Sequence, residues 1–144
     1  MRTIKYRAKV KMPKRPYLRE KEVPEGQWVY GEPHTIDCPT PHIHTVDVGK
    51  QPIDKETIGQ FTGLKDRNGK EIYEGDIIRR IARISFYGNN KASAHVVKFG
   101  EDGIYNGFYL EPQCDAFFVS HNSFIFEVIG NIHDNPEMLE GGEK

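Results

Sequence analysis

Four side chains able to hold a borderline metal ion fall close together at His34, Cys38, His42 and His44. Imidazole nitrogen and thiolate sulfur are the usual protein ligands of Zn²⁺, so the run His34-x3-Cys38-x3-His42-x-His44 is a candidate metal site. Its spacing is that of neither a zinc knuckle nor a zinc finger. Pro39 follows Cys38 and Pro41 precedes His42. The competing reading is a polar loop with an ordinary exposed thiol.

Other reactive types are weaker candidates. Asp66, Glu71, Glu74 and Asp76 could pair as acid and base, but Asp66 and Asp76 sit where turns need an acceptor for backbone N–H groups. Cys114 and His121 could form a nucleophile and base, yet nothing nearby supplies oxyanion donors or a third, orienting group. Gly59, Gly63, Gly69 and Gly75 lack the Gly-Lys-Ser/Thr and the following helix of a phosphate loop. No catalytic residue is assigned and no cofactor is expected.

A charged surface is the better lead. Residues 1–21 carry nine Lys and Arg against one acid, Glu20, within a chain whose net charge is only −1. Such an arm either folds onto its own acidic body or meets a polyanion. Arg2, Lys5, Arg7, Lys9, Lys14 and Arg15, with Arg79, Arg80 and Arg83 on a later strand, would track phosphates. Trp28, Tyr30 and Tyr17 would stack bases. A near-neutral chain, pI about 6.6, argues against a dedicated nucleic-acid binder.

The elements that must position these groups are strands. Ile4, Tyr6, Ala8 and Val10 alternate with Lys5, Arg7, Lys9 and Lys11, which predicts a half-buried strand over 3–11 with a basic outer face. Six prolines between Met12 and Pro41 exclude long helices and predict an irregular excursion with a short strand at Trp28–Tyr30. Asp54–Thr57 reads as a turn, Thr57–Phe61 as a short strand broken by Gly63, and Asn68-Gly69 as a hairpin tip. Further strands follow over 77–86, 94–99, 107–111, 116–119 and 123–132. His95 reads as a surface or rim histidine. Asn135-Pro136 starts one helical turn, with Asn135 as N-cap. The pattern predicts a mainly β protein with minor α structure: a small, partly open barrel over 54–144, elaborated by a strand and Pro-rich basic arm over 1–53, together one compact unit.

Composition agrees. Aromatics make up 11% of the chain, a bias that suits strands. No apolar run is long enough to span a bilayer, and Met1–Lys5 starts no secretory signal. Cys38 and Cys114 are therefore expected to be reduced thiols of a cytosolic protein.

The central stretch resembles a known family. Asp54, Thr57-Ile58-Gly59-Gln60-Phe61-Thr62-Gly63-Leu64-Lys65-Asp66 and Asn68-Gly69-Lys70-Glu71-Ile72-Tyr73-Glu74-Gly75-Asp76-Ile77 are similar to the signature of the YopX family of phage and prophage proteins. Ile4–Ala8 resembles that family's opening strand, and Phe126–Glu137 its closing strand and cap. The Pro-rich stretch from Met12 to Pro52 matches only loosely. Lys9-Val10 stand where the family has Trp-Asp, so nothing carried by that pair transfers. The resemblance implies an SH3-like β-barrel with added elements near the N-terminus, and no particular chemistry. The expected function is a non-enzymatic interaction module, self-associating as a homo-oligomer or bound to a phage or host protein, and not to membrane. Nucleic-acid binding is the alternative and a metal-dependent enzyme the third reading.

Overall fold

Where the predicted strands fall on described residues they are present, and they sort into two sheets; their parts at 3–4, 83–86, 117–119 and 123 lie outside the described residues. The structure, a computed structural model, describes residues 5–14, 17–19, 21–82, 92–101, 106–111, 115–116 and 124–138. Ten strands and one 3-10 turn form its regular structure among those residues. Contacts divide the chain into two compact units, Met1–Phe61 and Thr62–Lys144.

The first unit is built from β1 (Tyr6–Val10), β2 (Trp28–His34), β3 (His42–His44) and most of β4 (Lys50–Lys65), all antiparallel. Two strands change partner midway. β2 pairs with β1 up to Gly31 and with β3 from Glu32 onward. β4 pairs with β3 over Lys50–Pro52 and with β1 over Ile53–Gln60. The sheet therefore curls until β1 meets both β2 and β4. Gly31 stands at the β2 switch, where a Cβ would collide with the His44 carbonyl oxygen. Ala8, Val10, Val23, Val29, Ile43 and Ile53 form the core, with Val48 and Ile58 packed against it.

Three expectations for this unit are corrected. The face of β1 read as basic and outward is not open, because Arg7 is only 5% exposed. Its guanidinium lies 4.4 Å from the centre of the Trp28 ring, on the neighbouring strand. Asp54–Thr57 is not a turn between elements but an irregularity inside β4, where the register with β1 jumps from Lys9↔Asp54 to Arg7↔Gly59. Side chains serve the interrupted ladder: Asp54 Oδ1 accepts from Glu56 N–H, and Thr57 Oγ1 accepts from Lys9 N–H at 2.8 Å. The third correction is β3 itself, a strand within what the prolines made look irregular.

The second unit holds β5 (Glu71–Tyr73), β6 (Asp76–Ala82), β7 (Ala92–Glu101), β8 (Asn106–Glu111), β9 (Asp115–Ala116) and β10 (Phe124–Asn131). β6 to β9 form a meander and β10 returns beside β6, giving the order β10-β6-β7-β8-β9. A final strand folded back beside the first of a meander is the connectivity of a small SH3-like sheet. Both sheets curl in part, and neither closes clearly into a barrel. Ile72, Ile78, Val97, Phe108, Leu110 and Phe126 form the core of this unit, with Leu64 and Val128 against it. His95 is corrected from rim to interior, at 1% exposure. β7 lies between β6 and β8, and there His95, Val96 and Val97 are all buried.

The turn signals of the central stretch do structural work. Asp66 N–H donates to the Lys70 carbonyl, closing the hairpin, and Gly69 takes φ +83°. Asp66 Oδ1 accepts from Asn68 and Lys70 N–H at 2.8 and 2.9 Å, while Oδ2 accepts from Val128 N–H of β10 at 2.9 Å. Asp76 Oδ2 accepts from Tyr73 N–H at 2.8 Å at the start of β6. Pro136–Met138 is a 3-10 turn. The Asn135 side chain does not cap it; its Oδ1 reaches back to the N–H of Asn131 at 3.2 Å.

Candidate functional site

β-strand periodicity places three imidazoles on one face. His42 and His44 are two apart on β3, so they share a side, and Ile43 between them is fully buried in the core. His34 of β2 lies directly opposite His42 in the register, and Glu32 opposite His44. The ring centres of His34 and His44 are 4.1 Å apart, those of His42 and His44 5.0 Å, and those of His34 and His42 5.9 Å. The Nε2 atoms of His42 and His44 approach to 3.1 Å. Thr35 Oγ1 is 3.1 Å from His42 Nδ1 and orients that ring. Burial, followed by the Lys50 charge and the neighbouring imidazoles, holds the His42 pKa below its usual value, against a hydrogen bond with the Thr40 backbone.

Cys38 makes its contacts with Thr35 and Thr40. It is exposed, and its Sγ lies 2.9 Å from the Thr35 carbonyl oxygen. A hydrogen bond with the Thr40 backbone, the largest influence, lowers the thiol pKa, and contacts with the Thr35 and Thr40 side chains add to it. As the side chains stand, no three His, Cys, Asp or Glu among the described residues converge on one point able to hold an ion. The sequence named the ligand types here but not their shared face, because that face depends on the β2–β3 pairing.

The cations assigned to a nucleic-acid surface fall in both units. Arg7 and Lys9 both lie over Trp28, the ammonium of Lys9 at 5.5 Å, and Lys5 lies over Phe61 at 5.3 Å. Arg79 Nη2 is 2.8 Å from Glu127 Oε1, across β6 and β10. Arg80 neighbours it on β6, and Lys14 is exposed. Tyr30 is half-exposed, and Tyr17 meets the Lys50 ammonium at 5.5 Å. Arg2, Arg15 and Arg83 lie outside the described residues, as do Cys114 and His121. Of the four carboxylates, Asp66 and Asp76 are occupied by backbone N–H groups, and Glu71 Oε1 accepts from the Tyr73 hydroxyl at 2.9 Å.

One surface escaped the sequence reading. Gln51 is fully buried in the first unit. Its Nε2 donates to the carbonyls of Lys21 and Val48 at 2.8 and 2.9 Å, and its Oε1 accepts from Arg19 at 3.0 Å. These bonds pin the segment around residues 19–23 against the 45–51 turn. Each segment turns an aliphatic side chain outward: Leu18 is 95% exposed and Val46 fully so. A groove of about 480 Å³ lies there, lined by Leu18, Arg19, His44, Thr45, Gly49 and Lys50. The signal was an isolated Leu and Val in polar loops, which means little without the fold.

Curled antiparallel sheets, with no described helix long and apolar enough to cross a membrane, define the chain as a small mainly β protein. It belongs to the YopX protein family, which matches residues 5–140. Among solved structures it is similar to protein EF1440 from Enterococcus faecalis. That similarity has 24% identity and a TM-score of 0.48, and it covers 97% of this chain and 100% of that one. No curated protein matches the chain.

Proposed function

We propose that the protein is a non-enzymatic interaction module that pairs with a second copy of itself through the Leu18 and Val46 surface of its first unit. The observation that carries this reading is the nearly complete exposure of two aliphatic side chains on segments hydrogen-bonded to the buried Gln51. Exposed apolar area is worth about 25 cal/mol per Å² once it leaves water, and a pinned surface binds with less loss of freedom than a floppy one. A net charge of −1 sets little repulsion between two copies. Among the described cations, Lys5 lies over Phe61, Arg7 and Lys9 over Trp28, and Arg79 beside Glu127.

Sedimentation velocity on the full chain and on the Leu18→Asp, Val46→Asp double variant tests the proposal. The native chain should show a faster boundary that grows with concentration, and the variant should lose it. A native chain that sediments as a monomer at every concentration would refute pairing. A variant that sediments like the native chain would refute this surface.

A further inference from the structure

We propose that His34, His42 and His44 form a binding site for a first-row transition-metal dication of the Zn²⁺ class, with Cys38 outside the ligand set. The inference concerns the exposed face of the β2–β3 ribbon and does not rest on the pairing proposed above, although His44 also lines the groove beside Leu18.

The geometry is two-thirds complete. Two nitrogens bound to one tetrahedral ion at Zn–N distances of about 2.0–2.1 Å lie roughly 3.3 Å apart. The Nε2 atoms of His42 and His44 stand 3.1 Å apart. Two bare nitrogen lone pairs at that distance repel, so in the metal-free protein one ring must donate a proton to the other. A cation placed between them takes that proton's place, and the neutral His44 ring then carries its proton on Nδ1 instead. His42 is already set for this role. A tautomer that donates from Nδ1 to Thr35 Oγ1, 3.1 Å away, leaves its Nε2 lone pair facing His44. Such support of the remote ring nitrogen is how proteins orient ligating imidazoles.

His34 is the third ligand. Its ring centre lies 4.1 Å from that of His44, with the two planes at 46°. The donors do not converge as they stand; the His34 side chain is 44% exposed, and a turn of its ring is what brings a nitrogen inward. Glu32 Oε1, 3.9 Å from His34 Nε2, adds negative charge beside the site and offsets Lys50, which sits opposite His44 in the register. Three imidazoles without thiolate suit Zn²⁺, Ni²⁺ and Cu²⁺ rather than Mg²⁺ or Ca²⁺, which take oxygen ligands.

Calorimetric titration of the chelator-treated full chain with Zn²⁺ tests the proposal, with Co²⁺ absorption as the spectroscopic readout. One ion per chain is expected. His34→Ala, His42→Ala and His44→Gln should each weaken binding at least about tenfold, the scale on which such sites respond to lost support. Cys38→Ser should bind as the native chain does. The Co²⁺ complex should show visible ligand-field bands without a thiolate charge-transfer band. Circular dichroism of the metal-free variants guards against loss of fold, and His44→Gln keeps the strand if His42→Ala does not. Absence of saturable Zn²⁺ binding, or undiminished binding by folded His42→Ala and His44→Gln, would overturn the site. A loss on Cys38→Ser, or a thiolate band, would overturn the three-imidazole composition.

Discussion

Replacing Asp66 tests whether the central stretch is a folding device. Asp66 is 8% exposed, and its two oxygens accept three backbone N–H groups, from Asn68, Lys70 and Val128, at 2.8–2.9 Å. Hydrogen bonds to a charged acceptor contribute about 1.5–3 kcal/mol each. Asn68 and Lys70 are exposed at the hairpin tip, so water replaces much of what they lose. The Val128 N–H lies within the second unit, where its loss is felt in full. Asp66→Ala should therefore cost about 2–4 kcal/mol. Asp66→Asn should cost about half as much, because its amide oxygen still serves two N–H groups while its NH₂ faces a third donor. Burial alone would raise the Asp66 pKa, but the N–H groups of Val128, Lys70 and Asn68, with the Lys70 charge, lower it below 3.8. A carboxylate whose folded pKa is depressed contributes stability above its unfolded pKa and loses it as pH falls through the folded value. The native chain should thus lose stability on acidification below about pH 4, and Asp66→Asn should lose less over the same window. Urea unfolding followed by far-UV circular dichroism, at neutral and acid pH, measures both effects. A midpoint unchanged in Asp66→Ala, or an Asp66→Asn variant as acid-sensitive as the native chain, would refute the reasoning.

Gln51→Ala should destabilise the first unit by about 1–3 kcal/mol, because the Lys21 and Val48 carbonyls lose their donor and Arg19 its acceptor in partly buried bonds; urea unfolding followed by Trp28 fluorescence reports it. Gly31→Ala should cost more than about 2 kcal/mol, since its Cβ meets backbone rather than a flexible side chain, and should shift the amide resonances of β3 most. Glu127→Gln removes an exposed ion pair with Arg79 and should change the melting free energy by less than about 1 kcal/mol.

The parts of the fold legible in the sequence are those set by local rules. Asn68-Gly69 marks a hairpin tip, where Gly69 takes the positive φ, and Asp66 and Asp76 sit where backbone donors need an acceptor. Each of those readings survives in the hairpin and at the start of β6. What the sequence hides is pairing. β3 is three residues long between two prolines, and only its bonds to β2 and β4 make it a strand. The same pairing turns His34, His42 and His44 from a spaced motif into one face, and leaves Cys38 off it. Arg7 was misread because alternation separates two faces without saying which is covered; Trp28, placed by β2, covers the basic one. Gln51 carried no signal at all, since a buried amide is recognisable only from the carbonyls around it.

Amide hydrogen exchange of the full chain, compared between dilute and concentrated solution, bears most directly on the proposed pairing. The account predicts that residues 17–19 and 44–50 exchange more slowly in the concentrated sample, while β7 and β8 are unchanged. Equal exchange at both concentrations, or slowing confined to the second unit, would contradict it.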